Sequence, residues 1–286
     1  MSFQDAIAAV QNEYDRIFDE RVSLLLQLDV AEDTIDDLRN QLPPEPRVRL
    51  GVNQGGLAEL EPALGVTLRA LRAFSDGPEV FDALTKGRKV YLSVRSPSEV
   101  PAIVANYSDA DLTLIVHHEP ENDTTPAAYQ AEQREAASLI PPNMGFAPVL
   151  MAATYNKGQP SRWIPPDVAY TELGVDGYLR GYPWTTAGFD YTFKGALAEA
   201  AAGALPLAIC EVGVLSAIDA VVVPELEQAT EIERLHRIIQ TYPDIVTVCW
   251  FEEQVTKDAV RDYRIAQRAA PLARFRGIAC DPLVVP

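Results

Sequence analysis

Apolar residues recur in steps of four and three from the start of the chain: Phe3, Ile7, Val10, Tyr14, Ile17, Arg21, Leu24, Leu28, Ala31, Ile35, Leu38 and Leu42, with Arg21 the one charged position. Neither Pro nor Gly interrupts the spacing. A two-in-seven apolar stripe of this length predicts an α-helical coiled coil over residues 3–42, holding a homo-oligomer in parallel register. The alternative is a single amphipathic helix packed on a globular domain, although such a helix usually buries a broader face. Arg21 in the seam either fixes the register at a cost in stability or snorkels outward. Pro43, Pro44 and Pro46 then end the helix, and residues 43–47 read as a short Pro-rich linker.

Beyond the linker the period changes. Short apolar, β-branched runs recur at Val48–Val52, Thr67–Phe74, Lys89–Val94, Leu112–Val116, Ala147–Ala153, Gly174–Leu179, Leu207–Cys210 and Ile245–Trp250. Helical patterning fills several intervals, among them Pro78–Thr85, Ser98–Tyr107, Pro126–Ile140, Leu197–Ala202 and Pro224–Thr241. The connections near Leu57–Leu64 and Pro166–Glu172 are short for crossover helices. Eight strands alternating with helices predict a (β/α)8 TIM barrel over residues 48–286. A doubly wound open sheet is the competing α/β architecture. The first strand runs into Gly51-Val52-Asn53-Gln54-Gly55-Gly56, which has neither spacing of a nucleotide-phosphate loop. A last helix is expected from about Thr256 to Ala270. Ala269–Pro286, with Pro271, Pro282 and Pro286, reads as an extended tail against the barrel or a neighbour.

Composition narrows the function classes. With 48% hydrophobic and 23% charged residues, most of the 286-residue chain is ordered globular protein. The 41 acidic and 24 basic residues give a net charge of −17, which repels phosphate backbones and argues against nucleic-acid partners and a polybasic membrane anchor. The start shows neither the cationic nor the apolar region of a signal peptide, and no apolar run reaches the roughly 18 residues of a membrane span. Cys210, Cys249 and Cys280 form no disulfide framework and no CxxC pair. His117, His118 and His236 are the only histidines, and no ligand spacing suggests a metal. The reading therefore assigns no cofactor, and places the chemistry on carboxylates.

In a barrel, chemistry sits at the C-terminal ends of the strands. Strand four ends in His117-His118-Glu119-Pro120-Glu121-Asn122-Asp123, strand six gives Asp176-Gly177-Tyr178 and strand seven gives Cys210-Glu211-Val212-Gly213. Strand two offers Arg72 and Phe74, and strand eight Trp250 and Phe251. Two glutamates directly after apolar strands, facing each other across a cleft, suit retaining glycoside hydrolysis, in which one carboxyl is acid then base and the other attacks the anomeric carbon. The plainer reading has Glu119, Glu121 and Glu211 capping strands or pairing with Arg72 or Arg95.

These segments, in this order from Val48 to about Arg268, resemble glycoside hydrolase family 26, which includes β-mannanases, and in particular its divergent actinobacterial and phage members with a His-Glu-Pro-Glu run. The resemblance implies Glu119 as general acid/base and Glu211 as nucleophile. It further implies that His118, Tyr178, Asp176 and Arg72 bind substrate or position the nucleophile. Trp250 either stacks on a sugar face or is a core residue, and Trp163, Tyr182 and Trp184 pose the same choice. Two departures stand out: Pro120-Glu121-Asn122 replaces the family's Gly and Trp, and Leu179 follows the tyrosine where a polar residue is common.

A hydrolase barrel behind an oligomerising stalk, without a leader, looks like a phage minor tail or tail-tip protein. On that expectation its partners are host cell-wall polysaccharide, copies of itself through residues 3–42 and other tail proteins, and its location is the virion. A non-catalytic receptor-binding protein on the same barrel and a cytoplasmic glycosidase are the alternatives.

Overall fold

The computed structural model describes residues 46–180, 188–219, 221–255 and 260–285. The heptad stripe, the linker residues 43–45, Tyr182 and Trp184 lie outside the described residues. The first eight strands are β1 (Arg49–Asn53), β2 (Ala70–Ala73), β3 (Lys89–Val94), β4 (Leu112–Val116), β5 (Gly145–Phe146), β6 (Val149–Met151), β7 (Leu173–Leu179) and β8 (Leu207–Val214). Two short strands, β9 (Ala217–Ile218) and β10 (Val221–Val222), precede β11 (Ile245–Trp250), and β12 (Gln254–Val255) and β13 (Arg261–Asp262) follow it.

Nine strands form one parallel sheet in the order β5-β4-β3-β2-β1-β11-β8-β7-β6. Its two outermost strands, β5 and β6, are consecutive in sequence and separated only by Ala147 and Pro148. The Ala147 N–H donates to Leu114 O on one side, and Pro148 O accepts from Gly174 N–H on the other. The interrupted strand thus joins both ends of the sheet, which curls on itself as a TIM-barrel-like ring. The sheet is parallel and the ends meet, so the expected barrel order holds and the doubly wound alternative does not.

Eight helices are described: α1 (Leu57–Leu64), α2 (Pro78–Thr85), α3 (Val100–Tyr107), α4 (Pro126–Leu139), α5 (Ala152–Asn156), α6 (Gly188–Gly203), α7 (Glu225–Thr241) and α8 (Ala269–Ala279). α2 and α4 start at a proline and α3 has one at its second position, where the fixed φ suits the first turn and the missing N–H costs nothing. α4 is also capped by the Thr125 hydroxyl, which accepts from Ala128 N–H.

Two expectations need correction. Residues 260–268 are not helical: β13 pairs there with β9 and β12 in a small antiparallel sheet. Ala269–Pro286 is not an extended tail, because α8 occupies most of it and buries Pro271, Phe275 and Ile278. Only its end is extended, where Val284 bridges Val48 and the Val285 N–H donates to Val48 O. Of the two short connections, Leu57–Leu64 forms α1 and Pro166–Glu172 contains no helix; the interval after β6 is spanned by α5 and a 3-10 turn at Pro160–Arg162.

The core follows strand alternation. Outward residues such as Leu50, Leu71, Leu92, Leu114, Ile209 and Val248 pack under the helices, while Tyr91, Ile115, Val149, Ala208 and Cys210 fill the interior. At the opposite end of the barrel from the glutamates, Tyr91 and Thr113 hydroxyls donate to the buried Glu172 carboxylate at 2.7 and 2.6 Å.

Candidate active site

Glu211 faces the barrel interior because β8 carries a bulge. Ile209 pairs with Val175 and Glu211 with Asp176, so Cys210 has no partner on β7. On the other side, Val248 pairs with Ile209 and Trp250 with Val212, so β8 again has one residue more than its neighbour. Two successive side chains, Cys210 and Glu211, therefore point inward, and Val212 returns to the outer face. Without the bulge, Glu211 would point into the helical layer.

The buried Glu211 carboxylate has one ion-pair partner and one hydrogen-bond donor. Arg72 Nη2 lies 3.1 Å from its Oε1, and the Tyr178 hydroxyl donates to its Oε2. Arg72 is fully buried, its Nη1 donates to Ala73 O at 2.8 Å, and its guanidinium covers the Phe74 ring at 4.5 Å. The Glu211 pKa is raised above the usual carboxylate value, by burial first and by the nearby Glu119, while Arg72 and Tyr178 work against the rise by stabilising its anion. The plainer expectation of a Glu211–Arg72 pair is thus met.

Asp176, buried and directly paired with Glu211 on the adjacent strand, has no donor for either oxygen. Burial and then Glu211 raise its pKa well above the usual carboxylate range. Of the two neighbouring carboxyls, Asp176 is the more strongly favoured as the neutral acid, and Glu211 has the partners that stabilise an anion.

The Glu119 segment leaves β4 through an unusual backbone. His117 and Glu119 both have positive φ, 56° and 47°, in the left-handed region that side chains with a Cβ seldom enter. The tight turn is held by Glu119 N–H to Val149 O, His117 N–H to Val94 O and Gln133 Nε2 to Val116 O. It separates the two histidines. His117 turns away, with Nδ1 2.7 Å from Glu132 and Nε2 2.7 Å from Asp123. Both partners only accept, so both ring nitrogens must donate. Burial opposes the charge, and the two carboxylates outweigh it and raise the His117 pKa.

His118 turns into the site, beside Phe74, with Nε2 3.9 Å from Glu211 Oε1. Burial first, and then Arg72, lower its pKa to about 3, so the ring is neutral and the contact is not an ion pair. His118, Asp176 and Glu211 bring ligand-type atoms within 4.8 Å of one another. This corrects the expectation that no such cluster forms, since linear spacing does not show groups gathered from three strands. Arg72 already supplies positive charge to the shared Glu211 oxygen.

Glu119 stands at the rim. Its Oε2 accepts from Asn122 at 2.8 Å, and its Oε1 lies 3.8 Å from Arg180. Glu121 points elsewhere: its Oε1 accepts the Met151 N–H at 3.0 Å, tying the loop to the end of β6. Glu119, Asn122, Tyr178 and Arg180 line a cleft of about 430 Å³ together with Tyr263 and Arg261. A second hollow shares Tyr178 and Arg180 and extends to Asp176 and Tyr191. Small-molecule sites typically span roughly 300–1,000 Å³.

Trp250 is not in the cleft. It is fully buried on the outer face of β11, against Phe275 of α8 at 5.3 Å. Trp163 sits edge-on to Tyr129 at 6.0 Å and packs against the core. The rings that do reach the site are Tyr178, Phe251 and Tyr263, mutually packed with centroids 5.4–5.7 Å apart. Tyr263, Arg261 and Arg180 are not among the residues that the sequence singles out. Tyr263 and Arg261 lie in the stretch with helical patterning, and nothing local marks Arg180, just after β7, as part of a rim.

No protein-family model matches the chain, and no curated relative does. Solved structures do share the fold. The catalytic domain of the family 26 endo-β-1,4-mannanase from Bacillus sp. JAMB-750 superposes with a TM-score of 0.63 at 13% identity, over 84% of this chain and 87% of that one. The family 26 protein GH26C from Muricauda sp. MAR_2010_75 gives 0.64 at 12% identity, over 84% and 87%. An endo-β-1,3-glucanase of family 128 from Amycolatopsis mediterranei gives 0.56 at 11% identity, over 80% and 99%. At these identities the likeness concerns the fold.

Proposed function

We propose that the chain is a retaining glycoside hydrolase in which Glu211 is the nucleophile and Glu119 the general acid/base. The observation that carries this reading is the bulge-directed Glu211 carboxylate, held by Arg72 and Tyr178 at the mouth of the barrel that also presents Glu119. In the first step a Glu211 oxygen bonds to the anomeric carbon. The glycosidic C–O bond breaks, and the Glu119 proton passes to the leaving oxygen. In the second, Glu119 takes a proton from water, the water oxygen bonds to the anomeric carbon, and Glu211 leaves as carboxylate. Tyr178 and Arg72 fix the nucleophile, and neutral His118 offers the sugar a hydrogen bond without competing for the Glu211 charge.

The folds that resemble this one include both mannanases and β-1,3-glucanases, so β-mannan and β-1,3-glucan are the first substrates to assay. Proton NMR of the first product formed tests the reading: the anomeric configuration should be retained, and inversion would exclude a Glu211 adduct. One observation favours the second reading, a barrel that grips glycan without cleaving it. Asn122 and Arg180 engage both Glu119 oxygens, and substrate must rearrange them before a proton can be delivered. We extend the proposal to the setting suggested by the heptad stripe, a homo-oligomeric protein of a phage tail acting on host surface polysaccharide. Sedimentation of the full chain, oligomeric on this account, tests its assembly.

A further inference from the structure

We propose that the glycan bound in this cleft carries an oxyanion near the scissile bond, a uronate carboxylate or a phosphate, and that Arg180 and Arg261 receive it. The inference rests on the glycosidase reading and names the substrate class of that site. Arg180 follows the end of β7, half exposed, with its guanidinium 4.7 Å from the Tyr178 ring centre. Arg261 opens β13. Its neighbour Asp262 is already taken by Arg264 at 2.9 and 2.7 Å, on the other face of the strand. Among the described residues Arg261 has no ion-pair partner, and its Nε is sealed from solvent without a hydrogen bond. Both arginines line the cleft that holds Glu119.

A guanidinium stays charged at any working pH, and leaving a buried N–H unsatisfied is costly. Neutral sugar hydroxyls can accept from it singly, whereas a carboxylate or phosphate matches its fork with two charge-assisted bonds. The chain as a whole carries −17, so two guanidinia in this cleft are a local reversal of sign. A densely charged polyanion would be repelled by the rest of the surface. The fit is to a glycan with isolated acidic substituents. Such a group also offers Arg180 a closer partner than its 3.8 Å contact with Glu119, which releases Glu119 for proton transfer.

The test uses the full chain carrying Glu211→Ala, so that nothing turns over. Calorimetric titration compares three oligosaccharides: one with glucuronate, its carboxyl-reduced counterpart, and one with a phosphate substituent. At least one acidic ligand should bind tenfold or more tighter than the reduced one, and which of them does so identifies the oxyanion. Adding Arg261→Gln should remove that preference, weakening the acidic ligand tenfold or more beyond any loss for the reduced one. Equal binding of all three, no binding of any, or an Arg261→Gln loss that is the same for every ligand would overturn the inference. Cleavage by the wild type is scored separately. An acidic preference without turnover would sink the hydrolase reading and leave the anion site standing, whereas turnover without the preference would do the reverse.

Discussion

Asp176 and Glu211 stand side by side on β7 and β8, yet only Glu211 has an ion-pair partner and a hydroxyl donor, Arg72 and Tyr178, to hold its charge. The raised pKa of Asp176 makes the folded state bind a proton that the unfolded chain releases near 3.8. Stability from this group is therefore full below that pH and is lost as pH rises towards the folded value. Asp176→Asn keeps the shape and removes the titration. The melting temperature of the variant should exceed that of the wild type at pH 8, and the gap should close towards pH 4. With roughly 2–4 °C per kcal/mol for a domain of this size, the shift is readable by calorimetry. A variant less stable at pH 8 would contradict the assignment of the proton.

Tyr178 should act through Glu211. Tyr178→Phe keeps the ring that packs on Phe251 and Tyr263, so the fold should persist. Loss of the hydroxyl should lower kcat by about tenfold to a hundredfold, in line with roughly 1.5–3 kcal/mol for a hydrogen bond to a charged group. The acidic limb of the pH–rate profile should move to higher pH, because the Glu211 anion loses a donor. An unchanged profile would mean that the hydroxyl only packs.

His117 should stabilise the Glu119 turn in a pH-dependent way. Its pKa is raised above 6.5 in the folded chain, so its contribution is complete below that pH and is lost as pH rises through the folded value. His117→Gln should lower the melting temperature most at pH 6. The difference from the wild type should shrink steadily above about pH 6.5. A gap independent of pH would show that the ring is not charged between Glu132 and Asp123.

Glu119 and Glu121 should separate cleanly. Glu119→Ala should cost roughly 10²- to 10⁴-fold on substrates that need a protonated leaving group, much less on activated aryl glycosides, and azide should restore turnover. Glu121→Gln can still accept the Met151 N–H and should change rate by less than about threefold. A dead Glu121→Gln beside a normal Glu119→Ala would reverse the assignment within the segment.

Much of this was legible in the residues. β-Branched runs marked the barrel strands, and the carboxylates at their ends marked the candidate site. Alternation also held the answer for Trp250: Cys249 points inward with Cys210 and Arg72 in its surroundings, so Trp250 must face the helices. A bulge, by contrast, depends on how three strands register, and Leu207–Val214 alone does not reveal it. The left-handed residues His117 and Glu119 carry no local signature, since glycine, which favours such φ, is absent there. The cleft rim from β12 and β13 escaped because two-residue strands leave no period to read.

Covalent trapping tests the central claim most directly. The full chain is incubated with 2,4-dinitrophenyl 2-deoxy-2-fluoro-β-glycosides of gluco and manno configuration, which slow the second step more than the first. Peptide mass spectrometry then locates the sugar. The account predicts one label, on Glu211, and its absence in Glu211→Ala. A label on Glu119 or Asp176, or hydrolysis of glycan by an enzyme that never becomes labelled at Glu211, would contradict it.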